Sequence, residues 1–188
     1  MLALIAGAVV ATGAAGSTVA WLASRSNAVE NRFTYGQIAL SIQETDSGDQ
    51  DGNPNTNAYL ITPGATIEKD PEVVVEAFSE AAWLFVKLDK SSTFDSYLTF
   101  APASGWTALQ ADPTVYWRKV ESLPQAQSFP VLADNAVHVK PEVTEHMLNQ
   151  LAHLPLPTLS LTAYAIQQTG IENENEAWPL ALAQASNP

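Results

Sequence analysis

Three histidines are the residues of this chain best suited to bind a metal or to activate a nucleophile: His138, His146 and His153. Zinc peptidases carry two histidines four residues apart on one helix face, with a glutamate that activates water. Here His146 and His153 lie about 10 Å apart by helical rise, too far for both to bind one ion. The nucleophile-elbow pattern G-x-S-x-G does not occur either. The sequence therefore predicts a protein that is not an enzyme and has no catalytic residues.

An acidic loop carries the second candidate chemistry. Asp49, Asp51 and Asn53 alternate around Gly52, and alternating oxygen donors at a glycine turn are what a Ca²⁺ loop requires. The EF-hand pattern fails, because the glycine comes too early, no bidentate glutamate follows and Pro54 interrupts the run. Two interpretations stay open, a solvated acidic loop and a weak extracellular Ca²⁺ site. We expect no other cofactor.

Tryptophans offer a third kind of site, since an exposed indole ring can stack on a sugar. Trp83 and Trp117 lie within strand-like runs and are predicted to be core residues. Trp106 follows Gly105 in a predicted loop and is the candidate for an exposed ligand contact.

The N-terminal residues 1–16 form an apolar run that is shorter than the roughly 20 residues needed to span a bilayer. Small residues at Thr18 and Ala20 resemble a signal-peptidase site, although no Lys or Arg precedes the run. We expect residues 1–20 to be a signal peptide and the protein to be secreted, to the matrix or the cell surface. The alternative is a retained membrane helix; otherwise only the uncleaved precursor meets the membrane.

Charge and composition limit the partners. Twenty acidic and eight basic residues give a net charge of −12, which disfavours nucleic acids and anionic membrane surfaces. The chain has no cysteine, so its stability must come from packing and hydrogen bonds. We expect one domain after the signal peptide, with an N-terminal segment and first strand in residues 21–43 and the remainder in 44–188.

Short apolar runs separated by turn-rich loops dominate the sequence. The first, residues 33–42, places Ile38, Leu40 and Ile42 on one face of a strand. Residues 79–82 have the length of a hairpin connection between two β-rich runs. A tight turn is expected at Pro63 and Gly64. The remaining predicted strands lie in residues 73–78, 83–88, 97–100, 115–120 and 159–166.

Residues 141–154 break this pattern, because Val143, Met147, Leu151 and Leu154 share one helical face. The C-terminal residues 177–183 are compatible with either a strand or a helix. The periodicities together predict an all-β fold, an antiparallel β-sandwich with one short helix near 141–154.

Several stretches in a fixed order resemble the TasA/camelysin family of exported proteins with SipW-type signal peptides, and together they span nearly the whole chain after residue 20. They are residues 16–22 at the predicted cleavage site, 31–38 with the pattern N-x-F-T-x-G, 63–75, 82–88, 105–106, 115–117, 129–132 and 163–167.

The resemblance implies a jelly-roll-like sandwich that polymerises into extracellular biofilm-matrix fibres by donor-strand complementation. The donor segment is then residues 21–29, with Trp21, Leu22, Ala23 and Val29 at the subunit interface. The main partner is a second copy of the chain, with matrix proteins or polysaccharide as further partners. A disordered or self-folded N-terminus remains the alternative for this segment.

The alternative function is a monomeric cell-surface or carbohydrate-binding β-domain. That function requires a stable monomer, whereas the fibre function requires polymer and a subunit with an open groove.

Overall fold

Alternation of apolar and polar residues organises most of the chain into short strands. The computed structural model describes residues 38–45 and 57–185. Its ten strands are β1 (Leu40–Gln43), β2 (Thr66–Glu68), β3 (Glu72–Val75), β4 (Ala82–Lys90), β5 (Leu98–Thr99), β6 (Thr107–Leu109), β7 (Asp112–Val120), β8 (Gln127–Pro130), β9 (Ala136–Val139) and β10 (Leu159–Gln167). The helices are α1 (Phe94–Tyr97), α2 (Glu145–Gln150) and α3 (Glu174–Ala185), with a 3-10 turn at Ala133–Asn135. The predicted all-β class is confirmed.

The strands form three sheets in which every pairing is antiparallel. The largest has the order β10-β4-β7-β6, the second β1-β3-β8 and the third β2-β9-β5. All described residues fall within one compact unit, Gly36–Pro188. No helix among the described residues is long and apolar enough to cross a membrane.

Strand β4 is buried on both faces and therefore separates two hydrophobic clusters. Leu84 and Val86 point into the larger cluster, which includes Val73 of β3. Phe85 belongs to the smaller cluster and packs against Trp178 of α3, with ring centroids 5.2 Å apart. Burial on both faces explains why this strand is a continuous apolar run rather than an alternating one.

The predicted hairpin between the runs 73–78 and 83–88 is wrong. Both runs contain strands, but β3 pairs with β1 and β8, whereas β4 pairs with β10 and β7. The connection is a corner between two sheets, in which Phe78 has a φ of 61°. The physical reason is burial, because each strand is apolar on both faces and is covered better as the centre of its own sheet.

Two local predictions are confirmed in type, and the helix is shorter than the predicted 141–154. Helix α2 begins after Thr144, whose hydroxyl accepts a hydrogen bond from the Met147 N–H at 3.3 Å, and ends at Gln150. The Pro63 turn closes with a bond from Ala65 N–H to the Thr62 carbonyl at 3.0 Å, and Gly64 takes a φ of 74°. The C-terminal stretch, left open between strand and helix, is helical in α3.

Candidate functional site

An apolar groove of about 580 Å³ opens where the edges of the three sheets meet, and we call it the edge groove. It is bordered by β1, β2 and β10. Among the described strands, β1 pairs only with β3, β2 only with β9, and β10 only with β4. Each bordering strand is thus an edge strand among the strands that the structure describes, paired with one described neighbour.

Strand alternation supplies the floor of the edge groove. Ile67 is the central residue of β2 and lines the groove, while its neighbours Thr66 and Glu68 are exposed. Leu159 and Leu161 do the same on β10. Because side chains alternate across a strand, these positions present a continuous apolar surface between the sheets. The other apolar lining residues are Ile42, Ala58, Ile61, Phe94, Leu98, Val137, Leu156 and Pro157.

A partly buried ion pair lies at one side of this floor. The Lys69 ammonium contacts both carboxylate oxygens of Glu44, at 2.8 and 2.9 Å. Their side chains are only 11% and 16% exposed. The Tyr59 hydroxyl donates to the same carboxylate at 3.0 Å. These bonds satisfy the only charged groups that line the groove within the described residues, so the rest of its surface is suited to an apolar or backbone partner.

The ends of the acidic loop are tied together beside the ion pair. The Thr45 N–H and hydroxyl donate to the Asp70 carboxylate at 3.0 and 2.7 Å. These bonds, the hydroxyl bond first, hold the pKa of Asp70 below its usual range. The Asn57 side-chain amide donates to the Thr45 carbonyl at 3.2 Å. Thr45 and Asn57, the described residues on either side of residues 46–56, are thus bonded to each other beside the edge groove.

The predicted Ca²⁺ ligands Asp49, Asp51 and Asn53 lie in that loop and outside the described residues, so the Ca²⁺ site stays a prediction. The donor-strand residues also lie outside them: Trp21, Leu22, Ala23 and Val29.

Trp106 is described, and the prediction that its side chain is exposed is wrong. Only 8% of the residue is exposed, and its indole N–H donates to the Pro130 carbonyl at 2.8 Å. Gly105, with a φ of 87°, turns the chain so that the ring packs into the core. A buried N–H needs an acceptor, and Pro130 supplies it. The carbohydrate-binding alternative therefore loses the residue on which it rested.

Arg118 is a notable residue that sequence reasoning missed. Its guanidinium lies 4.0 Å from the Phe129 ring centroid and 5.5 Å from that of Trp106. Its buried Nε has no hydrogen-bond partner among the described residues, and burial lowers the pKa of the group. The alternation of β7 marks Arg118 as sharing a face with core residues, but the facing rings come from distant segments. Arg118 acts here as a cation that covers aromatic faces.

The histidines lie apart from the edge groove. His138 is exposed on β9 and contacts the Thr66 hydroxyl through Nδ1 at 3.1 Å. His146 lies on α2, and His153 follows that helix. Within the residues that the structure describes, no group of three His, Cys, Asp or Glu side chains is arranged to hold a metal ion.

What the edge groove can accept follows from its geometry. Strand edges offer backbone N–H and C=O groups, while the floor offers apolar contacts at alternate positions. An extended peptide with apolar residues at every second position satisfies both requirements. Sequence reasoning predicted strands at β1 and β10 but missed β2, and it did not predict that the three converge.

Comparisons of the chain with family models, with curated proteins and with solved structures find no match.

Proposed function

We propose that this protein is a secreted structural subunit that polymerises head to tail into extracellular fibres, with residues 21–29 of one copy adding a strand in the edge groove of the next. The subunit fold under this proposal is a jelly-roll-like sandwich. The main support for this proposal is the edge groove, an apolar cleft bordered by three edge strands among those described. An unpaired edge over an apolar floor is the arrangement used in strand addition.

The direction of the described chain supports a head-to-tail contact. Ala39, just before β1, donates its N–H to the Ser79 hydroxyl at 3.3 Å, near the end where Ala82 begins β4. The edge groove lies toward the other end of β4, where Lys90 pairs with Leu159. Eight residue steps of β4 span about 26 Å. A segment that precedes Ala39 thus joins β1 at the end away from Glu44, which lines the groove five residues, or about 17 Å, further along the chain.

A contact that joins two different ends of the subunit affects the form of the assembly. A contact between two different surfaces repeats from copy to copy and gives an open filament unless the rotation closes a ring. The donor pattern also fits, since Trp21 and Ala23 are two residues apart and so face the same side of a strand. Their side chains would meet the floor, with Leu22 on the opposite face.

The direct test compares two chains, residues 21–188 and residues 30–188, by negative-stain electron microscopy at rising concentration. We expect filaments from the first and monomers from the second. A synthetic peptide of residues 21–35 should shorten the filaments by capping grooves. Monomers from both chains would refute the fibre function and favour a monomeric surface domain.

A matched pair of substitutions tests the strand register. Ala23→Asp places a carboxylate on the face predicted to meet the apolar floor, whereas Ser24→Asp places the same group on the other face. Burial of an unpaired carboxylate is costly, so we expect only Ala23→Asp to abolish filaments. Equal effects of the two substitutions would contradict donation in an alternating strand.

A further inference from the structure

Phe78 combines two features that rarely occur together in one residue. Its φ is 61°, in the left-handed region, and 78% of it is exposed. For a bulky side chain this backbone conformation is unfavourable, and a turn at the surface ordinarily uses Gly or Asn there. Bonds on either side hold the corner, from Phe78 N–H to the Leu123 carbonyl at 2.8 Å and from Ala39 N–H to the Ser79 hydroxyl at 3.3 Å. The aromatic ring is therefore presented to solvent on a well-held backbone.

Leu123 is also exposed, and with Phe78 it forms what we call the apolar knob. A second exposed apolar side chain lies at the edge groove. Leu156 lines the groove and is 64% exposed. We call Leu156 the groove rim. The knob lies toward the Ala82 end of β4 and the rim toward its Lys90 end, and the strand between these ends is about 26 Å long.

We propose that the apolar knob of one copy packs against the groove rim of the next copy in the fibre. The inference rests on the proposed function and names a second contact of the same assembly. Its partner is a second copy of this chain.

The length of chain before the described residues supports this pairing. Residue 38 begins the described segment at the knob end, because its neighbour Ala39 is bonded to Ser79. Only residues 30–37 separate it from the donor segment 21–29. Fully extended, that linker reaches about 30 Å. When the donor lies in a neighbour's groove, the knob end of the donor copy is thus held within about 30 Å of the end of the donor segment, a range that includes the groove rim.

The contact between knob and rim also offsets the electrostatic repulsion between copies. Each chain carries a net charge of −12, so copies repel one another at low ionic strength. A rigid aromatic anchor gains apolar contact at a small cost in conformational entropy, and such residues dominate the energetics of many interfaces. The strained, exposed Phe78 has these properties.

Cysteine cross-linking tests the contact directly, since the chain has no cysteine of its own. Copies of residues 21–188 with Phe78→Cys are mixed with copies carrying Leu156→Cys and oxidised mildly. We expect a disulfide-linked dimer of the two variants. Leu180→Cys, an exposed position on α3, replaces Leu156→Cys in the control and should give at most a tenth of that product. Equal cross-linking to both positions would overturn the inference.

A second variant measures what the ring contributes. Phe78→Gly removes the ring and suits the left-handed backbone, so the subunit should melt at the same or a higher temperature. We expect it to raise the critical concentration for filaments about tenfold, which is the loss of one moderate anchor. Its binding to the peptide of residues 21–35 should stay unchanged.

The outcomes separate this inference from the proposed function. Donor-dependent filaments with an unchanged critical concentration in Phe78→Gly would overturn the knob contact and leave the fibre function standing. Absence of filaments from residues 21–188, with no selective cross-link, would overturn both. A selective cross-link that is lost in residues 30–188 supports both.

Discussion

Breaking the ion pair at the edge groove should destabilise the subunit far more than breaking a surface pair of the same length. Lys69 contacts both oxygens of Glu44, and the two side chains are 11% and 16% exposed. At 2.8 Å and an effective dielectric constant near 20, the Coulomb attraction is about 6 kcal/mol, much of it offset by desolvation. Lys69→Met leaves the Glu44 carboxylate with the Tyr59 hydroxyl and no counter-ion, so we expect a loss of about 2–3 kcal/mol.

The assay is urea unfolding of Lys69→Met, Glu44→Met and the double variant, which gives the coupling energy of the pair. The double variant should lose less than about 1 kcal/mol, because it leaves no unpaired buried charge. Lys87→Met is the matched control, since Lys87 contacts Asp89 at the same 2.8 Å but at a more exposed site. It should cost under about 0.5 kcal/mol. Equal losses from Lys69→Met and Lys87→Met would refute the reasoning.

Three further predictions concern stability. Trp178→Ala should cost about 3–5 kcal/mol by removing the ring through which α3 packs on the large sheet, measured by urea unfolding with the helical circular dichroism signal followed in parallel. Because hydrogen bonds lower the pKa of Asp70, its stabilisation is present above the unfolded value and is lost as pH falls through the folded one. Unfolding measured between pH 2 and 7 should therefore show a smaller loss of stability on acidification in Asp70→Asn than in the unsubstituted chain. Gly105→Ala should lower the melting temperature more than Gly64→Ala, since both have positive φ but only at Gly105 would the new Cβ lie 3.3 Å from the Arg118 guanidinium.

Much of the fold could be predicted because its signals are local. The alternation in residues 159–166 marked β10, and the edges of that prediction differ from the structure by one residue. The Thr144 cap and the Pro63 turn act through bonds to residues only three positions away. Such features depend on neighbouring residues alone, so they can be predicted without knowledge of the tertiary packing.

Predictions that required knowledge of the packing failed. A short connection between two apolar runs is compatible with a hairpin or with a corner between sheets, and no residue of the connection decides between them. Trp106 follows a glycine in a loop, which suggested exposure, but the Pro130 carbonyl and the Arg118 guanidinium come from other strands to enclose it. Whether an aromatic residue after a turn is buried depends on such distant partners.

The candidate site likewise combines features that the sequence determines with features that depend on packing. The sequence by itself determined that this chain is mostly β, that it carries a strong negative charge, and that residues such as Ile42 and Leu161 lie on the apolar faces of their strands. Only the tertiary structure decided that Ile42, Ile67 and Leu161 converge on one edge groove. Periodicity assigns a face to each strand from its own residues, but sheet order and packing, which act between segments distant in the chain, decide which faces meet.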